Sequence, residues 1–242
     1  MHPVRFSVLI ILPLFMVLSE HTFSQRILGA VSAGVNLSQV DGDEVYGFKR
    51  VGFNGGPSVI IPFGKNKKWS VTMELLFSQL GSRQKSEYPA SDTIKDSQGF
   101  YDGYKLSLTY VQVPFVFHYT DKRTIAGGVG LQYGQLVGVT EYEDHNDPRG
   151  FIKIDSTTLQ GPYTLADLQI LADTRVRIYK GLWFNIRYSY SILPIRTRTF
   201  TNQFYQDTWT RKQYNNVITL RLVYIFNDIL PDKNKKKEEY TN

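Results

Sequence analysis

Charged side chains interrupt several apolar segments of this 242-residue chain, and where they recur they take every second position. Successive side chains of a β-strand point to opposite faces. This alternation therefore places the charges on one face of a strand and the apolar residues on the other. The charged residues at such mid-segment positions are Glu74, Asp173, Arg175, Arg177, Arg187 and Arg221.

Opposite charges in this set fall at similar heights when positions are counted from the ends of the segments. Asp173 and Arg187 are equally distant from the short turn centred on Lys180, so hairpin pairing brings them face to face. Glu74 and Arg221 lie at a matching height in their own segments. An unpaired buried charge is costly, so we predict that Glu74, Asp173, Arg187 and Arg221 form an internal ion-pair cluster, with Arg175 and Arg177 nearby. The cluster would fill and stiffen a narrow barrel. The alternative is a selective pore or a substrate relay.

Other residue types offer little for catalysis. After residue 25 the chain has two histidines, His118 and His145, and no acidic residue lies within two positions of His118. His145 belongs to an acidic stretch that could bind a divalent cation, although the spacing does not match an EF-hand loop and a solvated acidic loop is the alternative. We predict no catalytic residue, no metal site and no cofactor. The candidate cation ligands are Glu141, Glu143, Asp144 and Asp147.

The composition excludes several classes of protein. The chain has no cysteine, which rules out disulfide scaffolds, thiolate metal sites, cysteine nucleophiles and a lipoprotein anchor. The net charge of +6 comes from basic residues scattered along the chain, so we expect no nucleic-acid partner.

The N-terminal residues resemble a secretory signal. Arg5 precedes an apolar run over residues 7–18 that is short for a membrane span, and small residues two apart, Thr22 and Ser24, follow it. We predict a signal peptide over residues 1–24, with an N-terminal membrane anchor as the alternative.

Alternating segments then recur eight times. They cover residues 27–38, 51–63, 69–80, 106–119, 124–139, 165–178, 182–193 and 214–226. Short connections at 64–68, 120–123 and 179–181 take turns with long ones at 81–105, 140–164 and 194–213. Tight turns at one end and long loops at the other are typical of an up-and-down membrane barrel.

The two faces of these segments decide which kind of barrel is expected. The apolar faces are larger than a soluble surface leaves exposed, which favours lipid outside and polar residues within. A soluble barrel that carries a lipid-like ligand reverses these faces and remains an alternative. Aromatic residues near the segment ends predict interfacial belts. The expected belt residues are Trp69, Tyr119, Tyr179 and Tyr224 at the turn side and Tyr104, Tyr133, Tyr163 and Tyr190 at the loop side.

Several strings are similar to a known family. They are GVNLSQVDGD at 34–43, GFNGG at 52–56, MELLFSQLGS at 73–82, YVQVPFVF at 110–117 and the final strand at 216–226. Together they resemble the PorT-like outer-membrane β-barrel family typical of Bacteroidota, with Gln112 and Leu80 in place of the usual Glu and Lys. The resemblance implies a small outer-membrane barrel. It implies no common activity, although the family's namesake takes part in protein secretion.

These observations predict an all-β fold, an eight-stranded antiparallel up-and-down transmembrane β-barrel over residues 25–226, followed by a polar periplasmic tail over 227–242. We expect it in the outer membrane of a Gram-negative bacterium, with both termini periplasmic. The expected partners are outer-membrane lipid, lipopolysaccharide and envelope or secretion proteins that meet the long loops. The expected function is a non-enzymatic structural or interaction barrel, with an accessory role in secretion as its more specific form. The alternatives are a narrow solute channel and an outer-membrane lipid enzyme.

Overall fold

The structure, a computed structural model, describes residues 27–43, 45–64, 66–84, 104–143, 152–154, 162–201 and 208–228. The predicted signal peptide at 1–24 lies outside these residues, as do the predicted tail beyond residue 228 and much of each long loop. The described residues contain no helix long and apolar enough to span a membrane.

Most of the described residues belong to eleven β-strands. They are β1 (Leu28–Asp41), β2 (Arg50–Phe63), β3 (Trp69–Glu74), β4 (Leu76–Gln84), β5 (Tyr104–Asp121), β6 (Ile125–Glu143), β7 (Ile152–Ile154), β8 (Ala166–Tyr179), β9 (Leu182–Ser191), β10 (Arg196–Thr201) and β11 (Thr208–Ile225). The predicted eight segments coincide with β1, β2, β3 with β4, β5, β6, β8, β9 and β11.

These eight strands close into an antiparallel ring. Each strand pairs with its neighbour along the chain, and β1 pairs with β11 from Ala30↔Ile225 to Asp41↔Tyr214. Closure leaves no free sheet edge in the ring, which a barrel in hydrocarbon requires. The predicted fold class, an eight-stranded up-and-down barrel, is confirmed.

The two ends of the barrel differ. The connections at 64–68, 122–124 and 180–181 lie at one end, here named the turn end, and the longer connections lie at the other, the loop end. Lys122 and Arg123 both have positive φ, 46° and 57°, and Thr124 donates its backbone N–H to the carbonyl of Asp121 at 3.0 Å. Two consecutive left-handed residues make the type I′ turn that fits the twist of a tight hairpin.

The third strand of the ring is interrupted at Leu75, between β3 and β4. Its neighbours carry prolines at this level, Pro57 on β2 and Pro114 on β5. Proline has no backbone N–H to donate, so the ladder weakens on both sides of the same position. The register with β5 is the same before and after the break, which keeps Glu74 facing the lumen.

An apolar band surrounds the barrel at its turn half. On β5 the outward residues from Val111 to Tyr119 are all apolar and are 36–51% exposed. They span about 26 Å along the strand, or about 20 Å along the barrel axis after a tilt of about 40°. Such a continuous exposed band has no place on a soluble protein. Its height is close to the outward apolar band of about 25 Å that a membrane barrel presents.

Above this band the two faces exchange polarity. On β5 the outward residues become Lys105, Ser107 and Thr109, and the inward ones become Leu106 and Leu108, both fully buried. The change coincides with a register shift at Thr109/Tyr110. The strands thus continue past the band as a barrel with an apolar interior and a polar surface, an inversion that the sequence analysis did not predict.

The long connections are shorter than predicted for the same reason. The stretch 194–213 is not a loop, because β10 pairs with the first residues of β11 from Arg196↔Gln213 to Thr201↔Thr208. β4 extends to Gln84 and β6 to Glu143, where β7 adds a short third strand. Ladder pairing continues beyond the band because the inner face there is apolar and gains from burial.

Candidate functional site in the barrel lumen

Glu74 forms an ionic bridge across the lumen. It projects from β3, and its carboxylate accepts hydrogen bonds from Arg175 on β8 at 3.1 Å, from Arg187 on β9 at 3.0 and 3.1 Å, and from Arg221 on β11 at 2.9 and 3.0 Å. β3 and β9 lie on opposite sides of the eight-strand ring. Glu74, Arg187 and Arg221 are 2–3% exposed, so the bridge crosses the barrel where little water remains.

Asp173 is the second carboxylate of this site. It lies opposite Arg187 in the β8–β9 ladder, as counting from the turn predicts, and accepts from that guanidinium at 2.8 and 3.3 Å. Arg175 is 3.8 Å from the same carboxylate. Arg221 also donates to the amide oxygen of Asn185 at 2.6 Å. Two carboxylates and three guanidiniums thus pair with one another in a single layer.

His118 belongs to the same layer, and its acidic partner there is far from it in sequence. Its Nε2 is 2.7 Å from Asp173 Oδ1, and its Nδ1 is 3.1 Å from Thr72 Oγ1. A carboxylate only accepts, so Nε2 carries a proton, and in the neutral ring Nδ1 accepts from the Thr72 hydroxyl. The signal that could have found this contact is the ladder register, which aligns His118, Gly128 and Asp173 across three strands.

Gly128 makes the contact between His118 and Asp173 possible. It lies between them on β6, and a Cβ at this position would be 2.5 Å from His118 Cδ2. The imidazole therefore occupies the space that any larger residue would fill. Gly34 has the same relation to Arg221, since a Cβ there would meet Arg221 Cβ at 2.4 Å.

Arg177, grouped with the predicted cluster, takes its partners outside the ionic layer. Two residues after Arg175, it lies about 7 Å further along β8 toward the turn end. There its guanidinium donates to the Arg123 carbonyl at 2.7 Å, pairs with Asp228 at 2.8 Å and stacks 4.5 Å from the Trp183 ring. Five of the six predicted residues share one layer, and the sixth, Arg177, lies nearer the turn end of the lumen.

Thr72, His118 and Asp173 have the order of a hydroxyl–imidazole–carboxylate relay. In a hydrolase that order activates a nucleophile that substrate can reach. Here Thr72 is completely buried, and Asp173 is already paired with Arg187. The geometry therefore orients side chains inside the barrel and gives an acyl substrate no access to the hydroxyl.

Further layers occupy the lumen on both sides of the ionic one. Toward the turn end, Trp183 packs with small and branched residues, namely Ala30, Ile60, Ala126, Val223 and Ile225. Toward the loop end comes a polar layer in which Asn215 donates to Asp167 at 2.8 Å and Gln132 to Gln169 at 2.9 Å. Beyond it lies the apolar core, with Leu80, Leu106, Leu108 and Leu136 at 4% exposure or less. An eight-stranded ring leaves an interior just wide enough for such side chains.

A second buried ion pair lies at the loop end. Glu141 accepts from Arg196 at 2.8 and 3.1 Å, and from the hydroxyls of Tyr104 and Tyr163, each at 2.9 Å. Glu141 therefore points inward and is not available as one of the cation ligands that the acidic stretch could supply; residues 144–151 lie outside the described part of the chain. The described residues contain no group of three or more His, Asp or Glu side chains that could hold a metal.

The aromatic belts are correct at the turn side and wrong in part at the loop side. Trp69, Tyr119, Tyr179 and Tyr224 are 39–65% exposed on the outer surface at the turn end. Tyr133 is 46% exposed and Tyr190 half-buried, but Tyr104 and Tyr163 are 7–8% exposed and serve Glu141 inside the barrel. Both residues lie beyond the level at which the two faces exchange polarity.

Asp43 lies near this second ion pair, in the connection between β1 and β2. Burial raises the pKa of its carboxyl to about 6, although the backbone N–H of Val45, 2.8 Å away, and the charge of Arg196 both act to lower it. Asp43 therefore titrates near pH 6, in a part of the barrel beyond the apolar band.

A protein-family model, described as the outer membrane protein beta-barrel domain, matches residues 23–196. Among solved structures the chain is similar to Ail, the attachment invasion locus protein of Yersinia pestis, with 14% identity, a TM-score of 0.44, and 82% of this chain and 98% of that chain covered. It is also similar to Neisserial surface protein A, with 8% identity, a TM-score of 0.40, and 82% and 95% covered. It is also similar to the outer membrane protease OmpT of Escherichia coli, with 10% identity, a TM-score of 0.37, and 84% of this chain and 94% of that chain covered. No curated protein matches the chain.

Proposed function

Because the chain belongs to the outer membrane protein beta-barrel domain family, we propose that it is a closed barrel of the outer membrane, which works by contact at its loop end and not by conducting solutes. The observation that carries this proposal is the bridge from Glu74 on β3 to Arg187 and Arg221 on the opposite side of the ring. A conducting lumen needs a continuous hydrated path. Here the ionic layer lies between two apolar ones.

Conductance across planar bilayers tests the closed lumen. A separate run with a porin shows that the bilayer supports conductance. In the same type of bilayer, the purified full-length protein alone should give no current steps above the baseline. Regular steps with a preference for one sign of ion would instead establish the narrow solute channel. In that case the cluster of Glu74 and its three arginines would be a selectivity filter.

The hairpin of β10 and β11 is the contact element in this proposal. It stands beyond the apolar band and exposes Arg211 and Lys212 near its base. Exposed cations at this level suit phosphate groups of lipopolysaccharide or an acidic surface on an envelope protein. In the proposed orientation, the loop end lies outside the cell, and the turn end and both termini lie in the periplasm.

Charge reversal tests the hairpin. Arg211→Glu with Lys212→Glu should reduce binding to vesicles that contain lipopolysaccharide, and binding to phosphatidylcholine vesicles should not change. The matched control reverses two exposed cations outside the hairpin, Lys49→Glu with Lys180→Glu. Equal loss in both variants would refute a role for the hairpin.

An accessory role in protein secretion is the most specific form of this proposal, and it rests on the resemblance to PorT-like barrels. Crosslinking through the β10–β11 hairpin followed by purification should then recover envelope proteins of an export system. Recovery of lipid alone would leave the barrel a lipid-contacting scaffold and remove the secretion role.

A further inference from the structure

A cavity of about 340 Å³ lies at the turn end of the barrel, below the ionic layer. Its lining is strongly basic, and one wall is apolar, formed by Leu28, Ile60, Trp183 and Ile225. The cavity falls in the size range of small-molecule sites, in which apolar walls and a few convergent polar groups are typical. Its basic lining residues are Lys67, Lys68, Lys122, Arg123, Arg175 and Arg177.

Two guanidiniums in the cavity have donors without a partner. Arg175 is 4% exposed and donates to Glu74 through Nη2, but its Nε has no partner among the described residues. Arg177 uses Nε and Nη2, and its Nη1 is buried without a partner among the same residues. A buried charged donor left unsatisfied costs free energy that a ligand oxygen can recover. The two side chains are two residues apart on β8, so they share one face.

The cations of the short turns add positive charge around this end of the barrel. Within the described part of the chain, Lys67, Lys122 and Arg123 form no salt bridge, and Lys68 only approaches the Tyr119 ring at 6.0 Å. Lys67, Lys122 and Arg123 also have positive φ, which places them in the tight turns around the mouth. The mouth therefore concentrates positive potential on the cavity.

One carboxylate already occupies part of this site. Asp228, just after the last strand, pairs with Arg177 at 2.8 Å and accepts from the Trp183 indole N–H at 3.1 Å. The site is thus built to hold an oxyanion against Arg177 and Trp183. A second oxyanion with more charge would compete with Asp228 for the same donors.

We propose that this turn-end cavity binds a phosphate group, either as a soluble phosphate ester or as the headgroup of an anionic phospholipid. Several oxygens on one centre match the separate donors of Arg175 and Arg177, and arginine is suited to such forked contacts. The apolar wall accommodates the carbon part of the ester. This inference goes beyond the contact function of the loop end and does not depend on it.

Fluorescence of Trp183 reports on the cavity directly. The chain has three tryptophans, so Trp69→Phe with Trp209→Phe leaves Trp183 alone against Arg177. The full-length protein, folded in maltoside micelles that contain no phosphate, is titrated with glycerol 3-phosphate and then with inorganic phosphate. Potassium chloride at matched ionic strength is the control for screening. We expect a saturable change with the ester and none with chloride.

Two substitutions with opposite expected effects separate binding from general charge. Arg177→Gln removes a charge-assisted donor and should weaken binding by about tenfold or more. Asp228→Asn removes the internal competitor and should tighten it severalfold. Lys49→Gln, an exposed cation in the connection between β1 and β2, should leave the affinity unchanged. Heat-dependent gel mobility in SDS verifies that each variant is folded.

Each result bears on the proposal. Binding of both phosphate and its ester supports recognition of the phosphate group itself. The same fluorescence is measured with the protein in phosphatidylglycerol vesicles and in phosphatidylcholine vesicles. A change in Trp183 fluorescence with phosphatidylglycerol alone, and with none of the soluble probes, identifies the source as a lipid headgroup. No saturable change with any of these probes overturns the proposal. Unchanged affinity in folded Arg177→Gln overturns it as well.

Discussion

Replacing Glu74 by glutamine tests the ionic layer most sharply, because the shape of the side chain is kept and its charge is lost. The carboxylate accepts five hydrogen bonds from Arg175, Arg187 and Arg221. A glutamine amide offers one oxygen, and its NH₂ group faces guanidinium donors. At least two of the five bonds are therefore lost, and three arginines remain around one carboxylate, Asp173.

The expected cost is about 3–5 kcal/mol of unfolding free energy, the range for removing one partner of a buried ion pair. Urea unfolding from lipid vesicles, followed by tryptophan fluorescence, measures it. Asp121→Asn is the control, because it makes the same chemical change at an exposed site on β5 and should cost less than about 0.5 kcal/mol. In a double-mutant cycle, Arg221→Met should cost less in the Glu74→Gln background than in the wild type.

A cost below about 1 kcal/mol, or one equal to that of Asp121→Asn, would refute this reasoning, since values that low are typical of solvent-screened pairs. The lumen would then be hydrated at the level of Glu74, and the closed-barrel function would lose its main support. Conductance in the same variant would show whether ions pass there.

Three further predictions concern packing, the second ion pair and pH. Gly128→Ala should cost about 1–3 kcal/mol, because its Cβ would lie 2.5 Å from His118, and Gly127→Ala, which has open space, should be near neutral; equal costs in the same urea assay would remove the steric argument. Glu141→Gln should cost about 1.5–3 kcal/mol in that assay by leaving a buried guanidinium without its carboxylate, and no loss would mean that the loop end is hydrated. Asp43 has its pKa raised to about 6, so the folded state holds the proton more tightly than the unfolded one, and the wild type should lose stability as pH rises from about 4 to about 6. Asp43→Asn should remove that loss, which is at most about 3 kcal/mol, and identical pH profiles for the two proteins would show that the carboxyl is solvated.

The strand pattern and the ring were largely readable from the sequence. Alternation has a period of two. It therefore places Leu168 and Ile170 on one face of β8 and Asp173 and Arg175 on the other, without any tertiary information. Turn length fixes hairpin register, which is why Asp173 and Arg187 could be paired by counting from Lys180. The prediction that Glu74 and Arg221 join this pair needed only the added premise that a narrow barrel brings inward charges together.

The tertiary structure decided which inward residues touch. His118 meets Asp173 because two ladder registers align them across Gly128, a relation between three strands that no single segment contains. Arg177 has the same parity as Arg175 but lies one step nearer the mouth, where Asp228 holds it. Parity gives the face of a strand, whereas height inside a sheared barrel depends on the whole ring.

The sequence by itself therefore determined the strands, their faces and the kind of barrel, because those follow from local alternation and connection length. Only the tertiary structure decided where the faces exchange polarity, which placed Tyr104 and Tyr163 inside with Glu141 and turned 194–213 into a hairpin. An apolar side chain faces lipid within the apolar band and faces the core above it. The same residue type thus takes opposite directions according to its height, and height is set by how all eight strands pair.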